Sequence, residues 1–339
     1  AIFVSGIWVT GQVNGELRSA AAEFSSEWTP GIIPYDTQTR LPTSNTPNNT
    51  TDHQIYFIRN GDSPDPSSEN FNREYANWPT SDGAPAHDGE RFTDQNQNGV
   101  RDTGEPYEDF NLNGNYDPPD GQFVTGEDPP ELKGEEQAWW VMNGWGATTH
   151  HNLWSTDPLG VETQVSVYNR STAPFYENVQ FHDVKLVNKS GERLDSVYYA
   201  YWSDVDLGDA TDDQGGCDTS LSLGYFYNGN PRDQDYGMTP PAVGYTFLQG
   251  PMVESLGDTV TVEGNIFADK RFLGMTSFIL LLKGLYPFED PETAVIAYFY
   301  MQGLTSDGAA FSDPSGSMTP FHLSGDPVNG DEWTAMSQY

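Results

Sequence analysis

Val161-Glu162-Thr163-Gln164-Val165-Ser166-Val167 is the stretch on which the fold turns. β-Branched residues alternate with polar ones at a period of two, the pattern of a half-buried strand. Val161, Thr163, Val165 and Val167 would face a core, and Glu162, Gln164 and Ser166 would face solvent. Downstream, Val179 to Val187 and Ser196 to Trp202 read as further strands, separated by the turn Lys189-Ser190-Gly191-Glu192. Leu221 to Tyr227, Val243 to Phe247 and Val260 to Val262 extend the series, and Ile279 to Leu282 fits either a strand or a helical turn. Glu292 to Met301 has the helical period, with Ala294, Ala297, Tyr298 and Met301 on one face. Upstream, Trp139-Trp140-Val141 reads as buried, and Gln54 to Ile58 as a short strand. Ile2-Phe3-Val4 and Ile7-Trp8-Val9 precede a hairpin signal at Asn14-Gly15.

Short strands at these intervals predict a mainly β fold, a β-sandwich of jelly-roll or Ig-like type with long loops. Three segments follow from this reading. Residues 1–60 supply N-terminal strands of the β core, residues 61–136 form a loop-rich calcium-binding insertion, and residues 137–339 form the main sandwich region.

The insertion contains Asp94-Gln95-Asn96-Gln97-Asn98-Gly99-Val100-Arg101-Asp102-Thr103-Gly104-Glu105, which matches the calcium-loop pattern D-x-[DN]-x-[DN]-G-x5-E. Asp94, Asn96 and Asn98 offer side-chain oxygens, Val100 its carbonyl, Asp102 the ninth position and Glu105 a bidentate carboxylate. A second loop follows with Asp109, Asn111, Asn113, Asn115, Asp117 and Asp120. Pro106-Tyr107-Glu108 leaves no room for a helix between them, so these are helix-poor tandem loops with a structural rather than a sensory role. Such ions would order a stretch that cannot bury enough apolar surface. A further acidic run, Asp204, Asp206, Asp209, Asp212, Asp213 and Asp218, lacks the regular spacing. A third calcium site using Asp204, Asp206 and Asp209 is the expectation there; a solvated acidic loop is the alternative.

The chain of 339 residues carries a formal charge of −35, from 50 acidic against 15 basic residues. A nucleic-acid partner is excluded on that balance, since phosphate binding needs a basic face. Aromatic residues make up 13% of the chain, which argues against disorder. One cysteine, Cys217, rules out an internal disulfide and reads as a small buried residue. No apolar run is long enough to span a membrane. Ala1-Ile2-Phe3-Val4 reads as a strand rather than a signal peptide, so the start is expected to be a processed or trimmed end.

His150-His151 lacks companion ligands for zinc, and H-E-x-x-H, G-x-S-x-G, P-loop and dinucleotide fingerprints are absent. Trp139, Trp140, Trp145 and Trp154 would serve core packing sooner than a sugar-stacking platform. Sequons at Asn48, Asn49, Asn169 and Asn188 matter only if the source glycosylates.

Several segments carry a resemblance: Ile7-Trp8-Val9-Thr10-Gly11, Asp157-Pro158-Leu159-Gly160-Val161-Glu162, Trp202-Ser203-Asp204-Val205-Asp206-Leu207-Gly208-Asp209, Gly216-Cys217-Asp218-Thr219, Pro240-Pro241-Ala242-Val243-Gly244 and Gly325-Asp326-Pro327-Val328. Together they resemble large secreted surface proteins of Bacteroidota- and Ignavibacteria-like bacteria, which usually carry a C-terminal type IX secretion sorting domain. The resemblance implies an extracellular, β-rich, calcium-stabilised protein with more chain on both sides. The calcium-loop insertion is less typical of that group.

The expected role is therefore a non-enzymatic structural protein of the cell surface, a calcium-stabilised subunit of a filament, sheath or layer that self-associates into a homo-polymer. The alternative is a secreted glycan-binding module or glycan-active enzyme acting on surface glycans.

Overall fold

The computed structural model describes residues 2–33, 39, 41–42, 54–63, 66–76, 133–146, 152–172, 174–262, 265–330 and 333–338. Both tandem loops, from Asp94 to Glu105 and from Asp109 to Asp120, lie outside the described residues, as do His150 and His151.

The protein is mainly β, with several antiparallel sheets. In chain order the strands are β1 (Ile2–Val13), β2 (Glu16–Ala21), β3 (Thr29–Pro30), β4 (Tyr56–Arg59), β5 (Glu136–Asn143), β6 (Val161–Asn169), β7 (Gln180–Asn188) and β8 (Asp195–Val205). They continue with β9 (Asp213–Asp218), β10 (Leu223–Asn228), β11 (Ala242–Thr246), β12 (Met252–Val262), β13 (Asn265–Phe272), β14 (Phe311–Ser312) and β15 (Met318–Thr319). Helices are short: α1 (Arg73–Ala76), α2 (Ala294–Met301) and α3 (Ala335–Gln338).

The chain divides into two compact units, one of residues 1–25, 153–156 and 196–339, the other of residues 26–152 and 157–195. This partition cuts across the three segments read from the sequence.

In the first unit, β1 and β2 form a hairpin through Asn14 (φ 52°) and Gly15 (φ 84°). Two positive-φ residues between twisted strands are what an Asn-Gly turn supplies. β8 joins the other edge of β1. Its side chains alternate between two layers. Tyr198, Ala200 and Trp202 meet Trp8, Ala21, Trp154 and the α2 face of Ala294, Ala297 and Met301. Tyr199 and Tyr201 turn the other way, onto Phe247 and Tyr245, with ring centroids 6.1 and 5.1 Å apart. Tyr245 lies on β11, so β8 meets the β11-β10-β9 sheet through these rings, consistent with a β-sandwich. Phe278 and Leu280 pack on the Tyr245 face of the second sheet, against Gly224 and Gly215, and join Leu323 and Trp333 in a second cluster. Thr293 caps α2 by accepting from the Ile296 N–H, and Ala294, Ala297 and Met301 are buried as the period required. Tyr298 instead stays half-exposed, with its ring edge-on to Tyr198 at 5.5 Å.

The second unit is built on β3-β5-β6-β7, with β4 sharing the β5 edge that β3 occupies. Tyr56, Ile58, Trp139 and Val141 form its core. The reading of β6 as half-buried is corrected here. Val161 to Ser166 are buried on both faces, and Glu162 is 0% exposed. The register places Glu162, Gln164 and Ser166 opposite Asn143, Val141 and Trp139, so the polar face of β6 shares the buried side of β5. Its polarity is matched there. Glu162 accepts from the Ile33 N–H at 2.8 Å and from Gln164 Nε2 at 2.9 Å, and pairs with Lys189 Nζ at 3.0 Å.

Among the described residues, no helix is long and apolar enough to cross a membrane.

Candidate acidic site between β8 and β9

The expected loop after Trp202 is shorter than the acidic run that suggested it. β8 runs on to Val205, and Asp213 to Asp218 form β9 rather than loop. Two glycines let that strand pack. A Cβ on Gly215 would come within 2.7 Å of the Leu280 side chain, and one on Gly216 within 2.7 Å of the Tyr225 hydroxyl.

The chain crosses from β8 to β9 through buried Val205 and Leu207 and then Gly208 at φ 95°. A Cβ at Gly208 would meet the Asp233 carboxylate at 2.3 Å, so the glycine allows that carboxylate to sit against the turn. Buried Asp233 is fully occupied, accepting from the backbone N–H groups of Asp209, Asp235 and Tyr236 at 2.7–2.8 Å. Those donors hold its carboxyl below the usual range.

Asp212 and Asp213 differ. Asp212 Oδ2 accepts from Asn228 Nδ2, the Asn230 N–H and Asn230 Nδ2 at 2.6–3.1 Å. Asp213 Oδ2 accepts from the Leu207 N–H at 2.8 Å. The second oxygen of each carboxylate is buried and meets no hydrogen-bond donor among the described residues, and the same holds for Asn228 Oδ1. Asn228 lies directly opposite Asp213 in the β9–β10 register. Burial raises the Asp213 carboxyl, and the charges of Asp212, Asp206 and Asp233 raise it further against the Leu207 bond. Asp204 is raised by burial and by Asp206 and Asp290.

Of the three ligands expected from the sequence, Asp204 and Asp206 thus lie within electrostatic reach of each other. Asp209 turns its Oδ1 onto the Thr211 N–H and hydroxyl at 3.1 and 2.7 Å. No group of three or more Asp, Glu, His or Cys side chains is placed to hold an ion among the described residues. The acceptor-rich corner is instead made by Asp212, Asp213 and an amide, Asn228. Sequence reasoning passed over Asn228; the Asn228-Gly229-Asn230 turn after an aromatic strand was its one signal.

Cys217 is buried, with its thiol pushed up to about 12 by burial. Trp139 and Trp154 are core residues, as packing required, while Trp140 and Trp145 are half-buried.

Compared with protein-family models, curated proteins and solved structures, the chain matches none.

Proposed function

We propose that this chain is an extracellular, non-enzymatic structural protein, a calcium-stabilised subunit of a cell-surface filament, sheath or layer. The observation that carries the reading is that Asp212, Asp213 and Asn228, which the β9–β10 pairing and an Asn228–Asp212 hydrogen bond bring together, each keep a buried oxygen without a donor among the described residues. A buried anionic oxygen without a donor costs several kcal/mol, roughly, unless a cation meets it. A cluster of carboxylate and amide oxygens suits calcium, a hard ion that takes both together. The net charge of −35 adds a general reason to bind divalent ions, since self-repulsion falls with each one held. The tandem loops from Asp94 and Asp109 would take calcium by their own pattern.

Self-association is supported by β1. The β2 register begins at Trp8, so Ile2 to Gly6 run on past the end of β2 with one backbone edge free of that partner. Phe3 and Phe24, 69% and 67% exposed, sit side by side at 6.4 Å near this edge. An extended segment of a second copy would pair there by strand addition.

Metal analysis of the purified protein after gel filtration in calcium tests the reading. Bound calcium should fall by one ion in Asp213→Asn and by one ion in Asp94→Ala. A wild-type protein that retains no calcium would refute it.

A further inference from the structure

The second unit carries a polar feature that the calcium reading leaves unused. An open groove of about 280 Å³ is lined by Asn60, Lys133, Gly134, Glu135, Arg170 and Thr172. Its charges are mostly committed. Lys133 Nζ is 2.9 Å from Asp183, Glu135 accepts from the Ser171 N–H at 3.0 Å, and neighbouring Arg59 pairs with Glu136 at 2.8 Å. Arg170 is exposed and has no carboxylate within ion-pair distance among the described residues.

The same guanidinium lies over the Tyr168 ring at 5.7 Å and begins an aromatic ladder. Tyr168 stacks on its cross-strand partner Phe181 at 5.3 Å, Phe181 meets Tyr176 at 5.8 Å, and Tyr176 meets Phe175 at 4.3 Å. Cross-strand pairing accounts for Tyr168 and Phe181. It does not account for Phe175, which leaves its ring 71% exposed on a single 3₁₀ turn, Pro174–Tyr176.

We infer that this groove and ladder bind a short saccharide bearing a carboxylate, such as a uronic acid oligosaccharide. Each part of that ligand has a partner. A guanidinium free of carboxylates offers a forked donor pair to the sugar carboxylate. Asn60, Thr172 and the Gly134 backbone offer donors and acceptors to ring hydroxyls. An exposed aromatic face takes the apolar C–H face of a pyranose. A purely apolar ligand would leave the groove's polar groups unpaired, and a nucleic acid would meet the field of a chain at −35. The local cation still acts on a short acidic sugar, because charges farther away than about 8 Å are screened at physiological salt.

The inference rests on the second unit alone and stands whether or not calcium is bound. Calorimetric titration of the whole chain with trigalacturonate, and with its neutral methyl ester, tests it. The acid should bind saturably and the ester about tenfold more weakly, the size of one charge-assisted contact. Arg170→Ala and Phe175→Ala should each weaken the acid by about tenfold, while Arg193→Ala, at an exposed pair with Asp195, should not. Both altered side chains are exposed, so unchanged thermal unfolding would accompany the loss. Absence of saturable binding, equal binding of the ester, or undiminished affinity in either groove variant would overturn the assignment.

Discussion

Glu162 and Lys189 face each other across 3.0 Å with side chains 0% and 3% exposed, at the end of the β6–β7 pairing in the second unit's sheet. Lys189 is brought there by its own backbone, whose N–H donates to the Gly160 carbonyl at 3.0 Å. Gly160 must be glycine: its φ is 72°, and a Cβ would lie 2.5 Å from Ser190 Cβ. Removing one member of a buried pair strands the other charge, at a cost of about 3–5 kcal/mol. Glu162→Gln and Lys189→Met should each destabilise by that amount in urea unfolding. The double variant should cost clearly less than the sum.

His322 gives the first unit a sensitivity to acid. Its ring stacks on Phe288 at 4.1 Å and is flanked by Phe311 and Trp333. Burial lowers its pKa to about 4, only partly offset by a hydrogen bond to the Leu280 backbone. The unfolded chain therefore takes up the proton first as pH falls. Stability is fully present above about pH 6.5 and is lost between there and pH 4, roughly 3 kcal/mol in all. Urea unfolding at pH 7.5 and pH 4.5 should show most of this loss in the wild type, and a correspondingly smaller one in His322→Phe.

At Asp213 the sign is opposite. A carboxyl whose folded pKa is raised counts against stability once it ionises, so in chelator this residue and Asp204 lower stability as pH rises through their folded pKa values. Calcium at about thirty times its dissociation constant should return about 2 kcal/mol. Asp213→Asn should unfold at higher temperature than wild type in chelator and show a smaller calcium response.

Cys217 should be silent to a thiol reagent in the folded protein and react on unfolding, since its sulfur is buried and its thiolate disfavoured. Stopped-assay thiol counting with and without denaturant measures this directly.

Asp94→Ala or Glu105→Ala should make residues 82–136 more sensitive to limited proteolysis while the thermal unfolding of the sheets is unchanged. Equal cleavage rates in that stretch would deny the loops a structural role.

Strand periodicity carried much of the fold because it is local. Val161 to Val167, Ser196 to Trp202 and the Asn14-Gly15 turn each declare themselves within a few residues. The burial of Glu162 was not legible in that way, because its countercharge comes from Lys189 and a backbone donor from Ile33, both distant in sequence. β9 was missed for a related reason. Asp213-Gln214-Gly215-Gly216-Cys217-Asp218 has turn composition, and its glycines make sense only once Leu280 and Tyr225 are packed against them. The acidic cluster was visible as charge. Its sorting into satisfied Asp233 and half-satisfied Asp212 and Asp213 depends on Asn228 and Asn230, brought in by the β9–β10 pairing.

Electron microscopy of native material in millimolar calcium, repeated after chelation, tests the central claim most directly. Ordered polymers that fray or dissolve when calcium is removed are the expected result. Discrete monomers in both conditions would contradict the structural role.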